Sequence, residues 1–408
     1  MNIALYHNLP SGGARRAMVE MARGLAAHGH TVDEWCPETA DLAFLPLDGV
    51  VRRTVVLPFR PRGVARRRVP LLTPYLTAVR LAADLRAMAA LGRQAAQQIG
   101  RMDYEVVFTH DCQLVLVPDV LRFLQQPSVH YCHAATSAGM RTVENDCSGA
   151  DLGNQAKRLY YAPARHAYPR LRFRQAGRNL RAARRVLTNS CFAAAELHDV
   201  FGVLAQVCTL GVDVVTFRPL ALPREPFVLS VGAVHYHKGY RFLIQALAKL
   251  PDEQRLPLVI AANSVEPAEL QALRALAAEL RVTFTVRQVA DEAEMAALYN
   301  RAAAFVYCPL REPWGLAAVE AMACGAAVVA VGEGGVAESV VDGETGLLTS
   351  RDADAFAAAL GRVLADPALA ARLGAGAAAR ARDHFTWTAT VDCLEAHLCE
   401  AARVGAPP

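Results

Sequence analysis

The sequence predicts an α/β protein made of two doubly wound, Rossmann-like units. Three observations carry that expectation. The chain has 408 residues, enough for two domains. Short apolar runs alternate with longer stretches of helical spacing in both halves. A Pro- and Gly-punctuated segment separates the halves, from Leu210-Gly211-Val212-Asp213 through Pro219 to Pro223 and Pro226.

The apolar runs cover residues 2–6, 105–109, 128–131, 186–188, 227–231, 256–261, 304–307 and 327–331. Runs this short, with helical segments between them, read as buried parallel strands joined by crossover helices. The first run leads into Asn8-Leu9-Pro10-Ser11-Gly12-Gly13 and a helix expected over residues 15–28. Met18, Met21, Ala22, Leu25 and Ala26 fall on one helical face there. Gly29 and His30 end it, and Thr31-Val32 starts the next strand. The Gly12-Gly13 pair at the helix entry exposes N–H groups that suit a phosphate or sugar oxygen, although a tight turn alone also uses glycine. Near the C-terminus, helices are expected over 354–364, 368–383 and 388–402, with the last seven or so residues disordered. The expected domains are 1–210, a linker over 211–226, a second domain over 227–385, and a terminal helix and tail over 386–408 that can cross back to the first.

Composition excludes several classes. Hydrophobic residues make up 53% and mean hydropathy is +0.18, so core is ample. No apolar stretch reaches the length of a membrane span, and residues 1–6 enter a strand without the pattern of a signal peptide. The expected location is cytoplasmic. Ten cysteines are scattered without a CxxC pair, which reads as reduced, small apolar residues rather than disulfides or zinc ligands.

Charge is unevenly placed. Residues 1–190 hold 26 Lys and Arg against 14 Asp and Glu, and residues 191–408 hold 17 against 25. Eleven arginines and one acid lie between Arg52 and Arg101, and ten basic residues with no acid lie between Lys157 and Arg185. Such stretches, interleaved with Leu, Phe, Tyr and Pro, suit the inner face of an anionic membrane; an Arg-rich surface without a partner is the other reading. Nucleic acid is set aside, because no stacking-aromatic or helix-turn-helix pattern accompanies the charge.

Two acids draw the chemistry together. Glu312 precedes Pro313-Trp314-Gly315, and Glu320 follows within an Ala-rich apolar run ending at Cys324-Gly325. The first acid belongs on a loop and the second one or two turns into a helix. A carboxylate beside a helix N-terminus, with Gly315 allowing close approach, suits a polyhydroxylated ligand.

These segments occur in an order that resembles the retaining glycosyltransferases of family 4, the group 1 glycosyl transferases, which have the GT-B fold. The resemblance rests on Gly12-Gly13, Leu25 and Gly29-His30-Thr31-Val32; on Thr188-Asn189-Ser190 and Gly211-Val212-Asp213; and on Val231-Gly232, Lys238-Gly239 and Leu298-Tyr299. It continues through Pro309, Glu312 to Leu316, Glu320 to Gly325, Gly334-Gly335 to Glu338, and Gly343 to Gly346. It implies two Rossmann-like domains facing across a cleft, closing about the 211–226 hinge. It implies transfer of a hexosyl group from a GDP- or UDP-sugar to a hydroxyl of a glycan or lipid-linked acceptor, with retention and no obligatory metal. Glu312 would hold donor-sugar hydroxyls, Glu320 the ribose, Lys238 the diphosphate, and the N–H groups near Gly315 and Leu316 the donor. The backbone around Val289 would meet the base. His133 would face the donor sugar from the first domain, with His110 and His7 as further histidines there.

One departure stands out. The family's usual Arg after the glycine is Ala233 here. Arg15, Arg16, His235 and His237 are the candidate substitutes for its charge. Alternative readings of the whole are a phosphorylase, a sugar-nucleotide epimerase, or a silent binding protein of the same fold. Asp352-Ala353-Asp354 has the spacing of another transferase fold's metal motif, but helix capping accounts for it. Gly332-Glu333-Gly334-Gly335 lacks the third glycine and the distant acid of a dinucleotide fingerprint.

Overall fold

Strand registers, rather than the apolar runs alone, decide where the loops of this protein meet. The computed structural model describes residues 1–64, 72–133, 152–289 and 291–403, with the backbone alone over 152–165. Arg66 to Arg68, the Lys157 to Arg165 part of the second basic stretch, and the tail beyond 403 lie outside the residues whose side chains are described.

The chain divides into two units. The first holds Met1–Asn189, Ala194–Cys208 and Val391–Pro408; the second holds Ser190–Ala193 and Thr209–Thr390. The first unit carries β1 (Asn2–Asn8), α1 (Gly13–Ala27), β2 (Thr31–Pro37), β3 (Arg53–Leu57), α2 (Thr73–Ile99) and β4 (Val106–Cys112). It continues with β5 (Ser128–Cys132), α3 (Leu152–Ala182), β6 (Arg185–Thr188), most of α4 (Cys191–Phe201) and β7 (Gln206–Val207). Among the described residues its sheet runs β3-β2-β1-β4-β5-β6-β7, all parallel.

The second unit carries β8 (Glu225–Val231), α5 (Tyr240–Leu247), β9 (Leu258–Ala261), α6 (Pro267–Glu279), β10 (Phe284–Arg287), α7 (Glu292–Arg301) and β11 (Ala302–Tyr307). After it come α8 (Leu316–Ala323), β12 (Val328–Val331), α9 (Val336–Ser339), β13 (Leu347–Thr349), α10 (Ala353–Ala365) and α11 (Pro367–His384). α12 (Trp387–Arg403) begins in this unit, and its residues from Val391 onward belong to the first. The second sheet runs β10-β9-β8-β11-β12-β13, again parallel. The linker strand is stitched to the chain before α12: Val212 N–H donates to the Phe385 carbonyl at 2.9 Å. A Cβ on Gly211 would collide with the Thr386 backbone, so glycine is required there.

In both sheets the order reverses beside the first strand of the unit, between β1 and β4 and between β8 and β11. Loops leaving the carboxyl ends of those strands splay apart, and ligands of doubly wound sheets bind in the crevice they leave. His7, Asn8 and His110 stand at that point in the first unit. The loops carrying Lys238 and Glu312 leave it in the second.

Four strands escape the apolar-run reading, and all four are sheet edges. β3 and β10 have mostly exposed or half-exposed residues, β7 has two residues and β13 has three. The basic stretch is also partly paired, although its arginines stay exposed. Asp33, fully buried, takes Arg52 at 2.8 and 2.7 Å and Arg53 at 2.9 Å, so its carboxylate neutralises charges that look unopposed in sequence. Asp352 accepts from Ala355 N–H at 2.8 Å as the cap of α10, which is the role its position suggested.

Arg15 corrects an expectation. It faces into the core of the first unit, fully buried, and its guanidinium bonds Glu34 at 2.9 Å and the Phe44 carbonyl at 3.3 Å. It is committed to the fold and is no substitute for the charge missing at Ala233. Burial would raise the Glu34 carboxyl, but His7, Arg15 and Thr54 bring it down to about 2. Because that value lies below 4.5, the stabilisation is complete above pH 4.5 and is lost as pH falls toward 2. Glu34→Gln should destabilise the protein by roughly 3–5 kcal/mol, because it leaves the Arg15 charge buried and unpaired. Denaturant titrations from pH 7 down to 2 should also show a shallower acid limb in the variant; an unchanged limb would refute the assignment.

Candidate functional site

The site in the second unit begins where β8 ends. Gly232 takes φ +147°, and a Cβ there would lie 3.2 Å from Lys238 Cε, so glycine leaves room for the lysine stem. A 3-10 turn over Tyr236–Lys238 follows, then Gly239 at φ +75° as the cap of α5. A Cβ on Gly239 would collide with the Cys308 carbonyl oxygen at the end of β11. The turn can therefore pack against the neighbouring strand only with glycine at this position. Two hydrogen bonds fix it: Tyr240 hydroxyl to Gly232 O at 2.9 Å, and Leu310 N–H to His237 O at 2.8 Å.

That packing sets Lys238 Nζ 2.7 Å from Glu312 Oε2, with the two side chains only 18% and 28% exposed. Burial would raise the Glu312 carboxyl, but Lys238 first and Tyr307 next hold it below its ordinary value. Glu312 is thus a carboxylate at neutral pH.

The Glu312 loop is braced from below. Gly335 N–H donates to Glu312 O at 2.9 Å, and a Cβ on Gly334 or Gly335 would collide with the backbone at Glu312 and Pro313. Arg351 donates to the carbonyls of Cys308 at 3.0 Å and Pro309 at 2.8 Å and pairs with Glu333 at 2.8 Å. The Gly332–Gly335 segment, which fails as a dinucleotide fingerprint, is a support for this loop.

Gly315, at φ +95°, caps α8, and Leu316 is its first residue. A Cβ on Gly315 would lie 2.8 Å from the Tyr307 hydroxyl. Glu320 sits in the second turn of α8, 7% exposed, and its Oε2 accepts from the Tyr299 hydroxyl at 2.8 Å. Tyr299 lies in the quoted Leu298-Tyr299 segment, but no role was read for it from sequence. Val289 follows the end of β10, an edge strand separated from β8 by β9.

His237, near Ala233, differs from the expectation of added charge. Burial, then His235 and Lys238, lower His237 to about 4, so it is neutral near pH 7. Its ring stands 4.1 Å from that of His235, whose Nε2 is 3.4 Å from Glu266. His237 therefore adds no positive charge beside Lys238.

In the first unit, Gly12 takes φ +135° as the cap of α1 and Gly13 opens the helix, with Arg16 half-buried one turn on. His133 is 9% exposed, and its Nε2 lies 2.7 Å from His110 Nδ1. Burial lowers His133 to about 4 and His110 well below its ordinary value, so the pair is neutral. His7 bonds Glu34 at 2.9 Å and belongs to the Arg15 network.

Two family profiles match the chain. Glycosyltransferase Family 4 covers residues 11–216, and Glycosyl transferases group 1 covers residues 216–380. D-inositol 3-phosphate glycosyltransferase of Xylanimonas cellulosilytica is 39% identical over 43% of this chain and 46% of its own. The chain thus spans about half the length of the D-inositol 3-phosphate glycosyltransferases it matches. Glycogen synthase of Mycobacterium tuberculosis is 30% identical over 97% of this chain and 92% of its own. The solved structure of Anabaena HepE in complex with UDP-glucose is 18% identical, covers 98% of this chain and 100% of its own, and has a TM-score of 0.70. That likeness shows the GT-B fold.

If Gly335 braces the Glu312 loop, Gly335→Ala should cost about 1–3 kcal/mol in denaturant unfolding, as a backbone collision does. A variant as stable as the parent would show that the segment yields without consequence.

Proposed function

Because the chain belongs to glycosyltransferase family 4, the group 1 glycosyl transferases, we propose that it moves a hexosyl group from a nucleotide-diphosphate sugar to an acceptor hydroxyl with retention of configuration. The observation that carries this reading is the Lys238–Glu312 pair at the switch point of the second sheet. The two side chains offer what a sugar diphosphate requires: one cation and one hydroxyl acceptor, both partly shielded from water.

On donor binding, Lys238 turns to the diphosphate and Glu312 exchanges the ammonium for sugar hydroxyls. The ammonium then neutralises charge that builds on the leaving diphosphate. Glu320, oriented by Tyr299, accepts from the ribose hydroxyls; hydrogen bonds to a charged acceptor contribute about 1.5–3 kcal/mol each. The acceptor hydroxyl attacks on the face that the diphosphate leaves, and a diphosphate oxygen takes its proton. This scheme asks for positioning and charge stabilisation rather than a protein nucleophile or a metal. His133, neutral at pH 7, serves as a hydrogen-bond partner for a substrate hydroxyl. With Ala233 and a neutral His237, Lys238 is the cation that this loop offers the diphosphate.

The acceptor we propose is a glycan or lipid-linked sugar at an anionic membrane surface. Leu72, Leu76 and Val79 recur along one side of the start of α2 and are 51%, 44% and 68% exposed, next to Arg80. Apolar residues beside arginines suit insertion among anionic headgroups. No helix of the described residues is long and apolar enough to cross a membrane.

A thermal-shift panel of UDP, GDP, ADP and their sugars identifies the donor, and proton NMR of the first product formed reads its anomeric configuration. An inverted product would refute retention; stabilisation by no nucleotide sugar would refute the donor class. Lys238→Ala should lower kcat by about 10²–10³ with the true donor. Leu76→Asp with Val79→Asp should reduce co-sedimentation with phosphatidylglycerol vesicles by at least about tenfold; parental binding that is indifferent to salt would reject the membrane reading.

A further inference from the structure

We propose that Asp111, His130 and Cys132 form a metal site in the first unit, suited to Zn2+ or a cation of similar softness. The three residues are unrelated in sequence until β4 and β5 pair. The register sets Thr109 opposite His130 and His110 opposite Tyr131, which brings Asp111 beside Cys132. Side chains alternate across a strand, so Thr109, Asp111, His130 and Cys132 share one face, and His110 and Tyr131 share the other. The ligand atoms of Asp111, His130 and Cys132 all lie within 4.8 Å of one another.

The buried ring of His130 points to a cation. Thr109 Oγ1 lies 2.9 Å from His130 Nδ1 and 3.4 Å from the Val129 carbonyl oxygen, so the hydroxyl orients the ring. When Thr109 accepts from Nδ1, Nε2 presents its lone pair to a metal. His130 is fully buried, Nε2 has no hydrogen-bond partner, and it stands 3.4 Å from Asp111 Oδ1. A cation held between that nitrogen and the carboxylate would satisfy the buried ring and bind both residues. A histidine whose other nitrogen is fixed by a hydroxyl is the arrangement that orients metal ligands.

The geometry is close to that of a tetrahedral site. Zinc bonds of about 2.0–2.3 Å put neighbouring ligand atoms about 3.3–3.8 Å apart, so the Asp111–His130 edge is already formed and Cys132 moves by about an ångström. Thiolate, imidazole and carboxylate together favour Zn2+ over Mg2+ or Ca2+. Both flanks are anchored: Asp111 Oδ2 accepts from His133 N–H at 2.9 Å, and Thr188 hydroxyl holds Cys132 O at 3.0 Å. On binding, the Cys132 thiol proton passes to the buffer and the thiolate sulfur bonds the metal. A loaded site would fix Asp111 and, through it, the backbone that presents His133. The sequence shows no such site, because it lacks the usual cysteine spacing.

The test is a Co2+ titration of the reduced, chelator-treated protein. A thiolate-to-cobalt charge-transfer band should grow, saturate near one equivalent, and disappear on adding Zn2+. Zn2+ should also raise the melting temperature. Cys132→Ser should abolish the band, and His130→Gln should weaken Co2+ binding at least about a hundredfold, with folding verified by circular dichroism. Glu395→Gln, in the exposed His28–Asp392–Glu395 cluster, and Cys393→Ser should leave the band unchanged. No band in the parent protein, or a band lost with Cys393→Ser rather than Cys132→Ser, would overturn the proposal whether or not the variants fold.

Discussion

The second unit is organised around one half-buried ion pair, Lys238 with Glu312. Seventy-four residues separate the partners in sequence. Pairing of β8 with β11 brings their loops side by side, and the glycines let those loops close to 2.7 Å between charged atoms. A half-buried charge without its partner loses hydration uncompensated, so each residue favours the other until a ligand takes over one of the roles. Gly232, Gly239, Gly334 and Gly335 follow from that requirement, since each is a place where a side chain would prevent the approach. Arg351 belongs with them, because it holds the carbonyls at the end of β11.

Burial treats the charges in the two units differently. In the first unit Arg15, Glu34 and His7 satisfy one another with no water needed, which is why a basic residue beside the Gly12-Gly13 turn is part of the core. Asp33 offsets Arg52 and Arg53, which remain exposed. The uneven charge of the first half is therefore smaller at its surface than in its sequence. What remains exposed beside Leu72, Leu76 and Val79 is the part that can meet a partner.

Much of this was legible in the sequence. Buried parallel strands read as continuous apolar runs because both faces are covered. Asp352 announced itself as a cap by its position before a helical run. Glu312 and Glu320 took their loop and helix positions from Pro313 and Gly315. The edge strands β3 and β10 did not show, because one side of an edge lacks a neighbour and its residues stay polar. Arg15 was misread since its partner Glu34 comes from the next strand, and His237 since burial shifts a histidine in a way that spacing cannot reveal. The Tyr299 hydroxyl on Glu320 depends on the packing of α7 against α8, and the Asp111–His130–Cys132 grouping on strand pairing, neither of which a local pattern carries.

The central claim is that donor binding exchanges the Lys238–Glu312 ion pair for separate contacts to diphosphate and sugar. Calorimetric titration of Glu312→Gln with a bare nucleoside diphosphate and with the matching nucleotide sugar tests it most directly. The exchange predicts divergent responses. The bare diphosphate binds at least as tightly as to the parent, because Lys238 no longer has a competing carboxylate. The nucleotide sugar binds about tenfold or more weakly, because its hydroxyls lose a charged acceptor. Equal weakening of both ligands would contradict it.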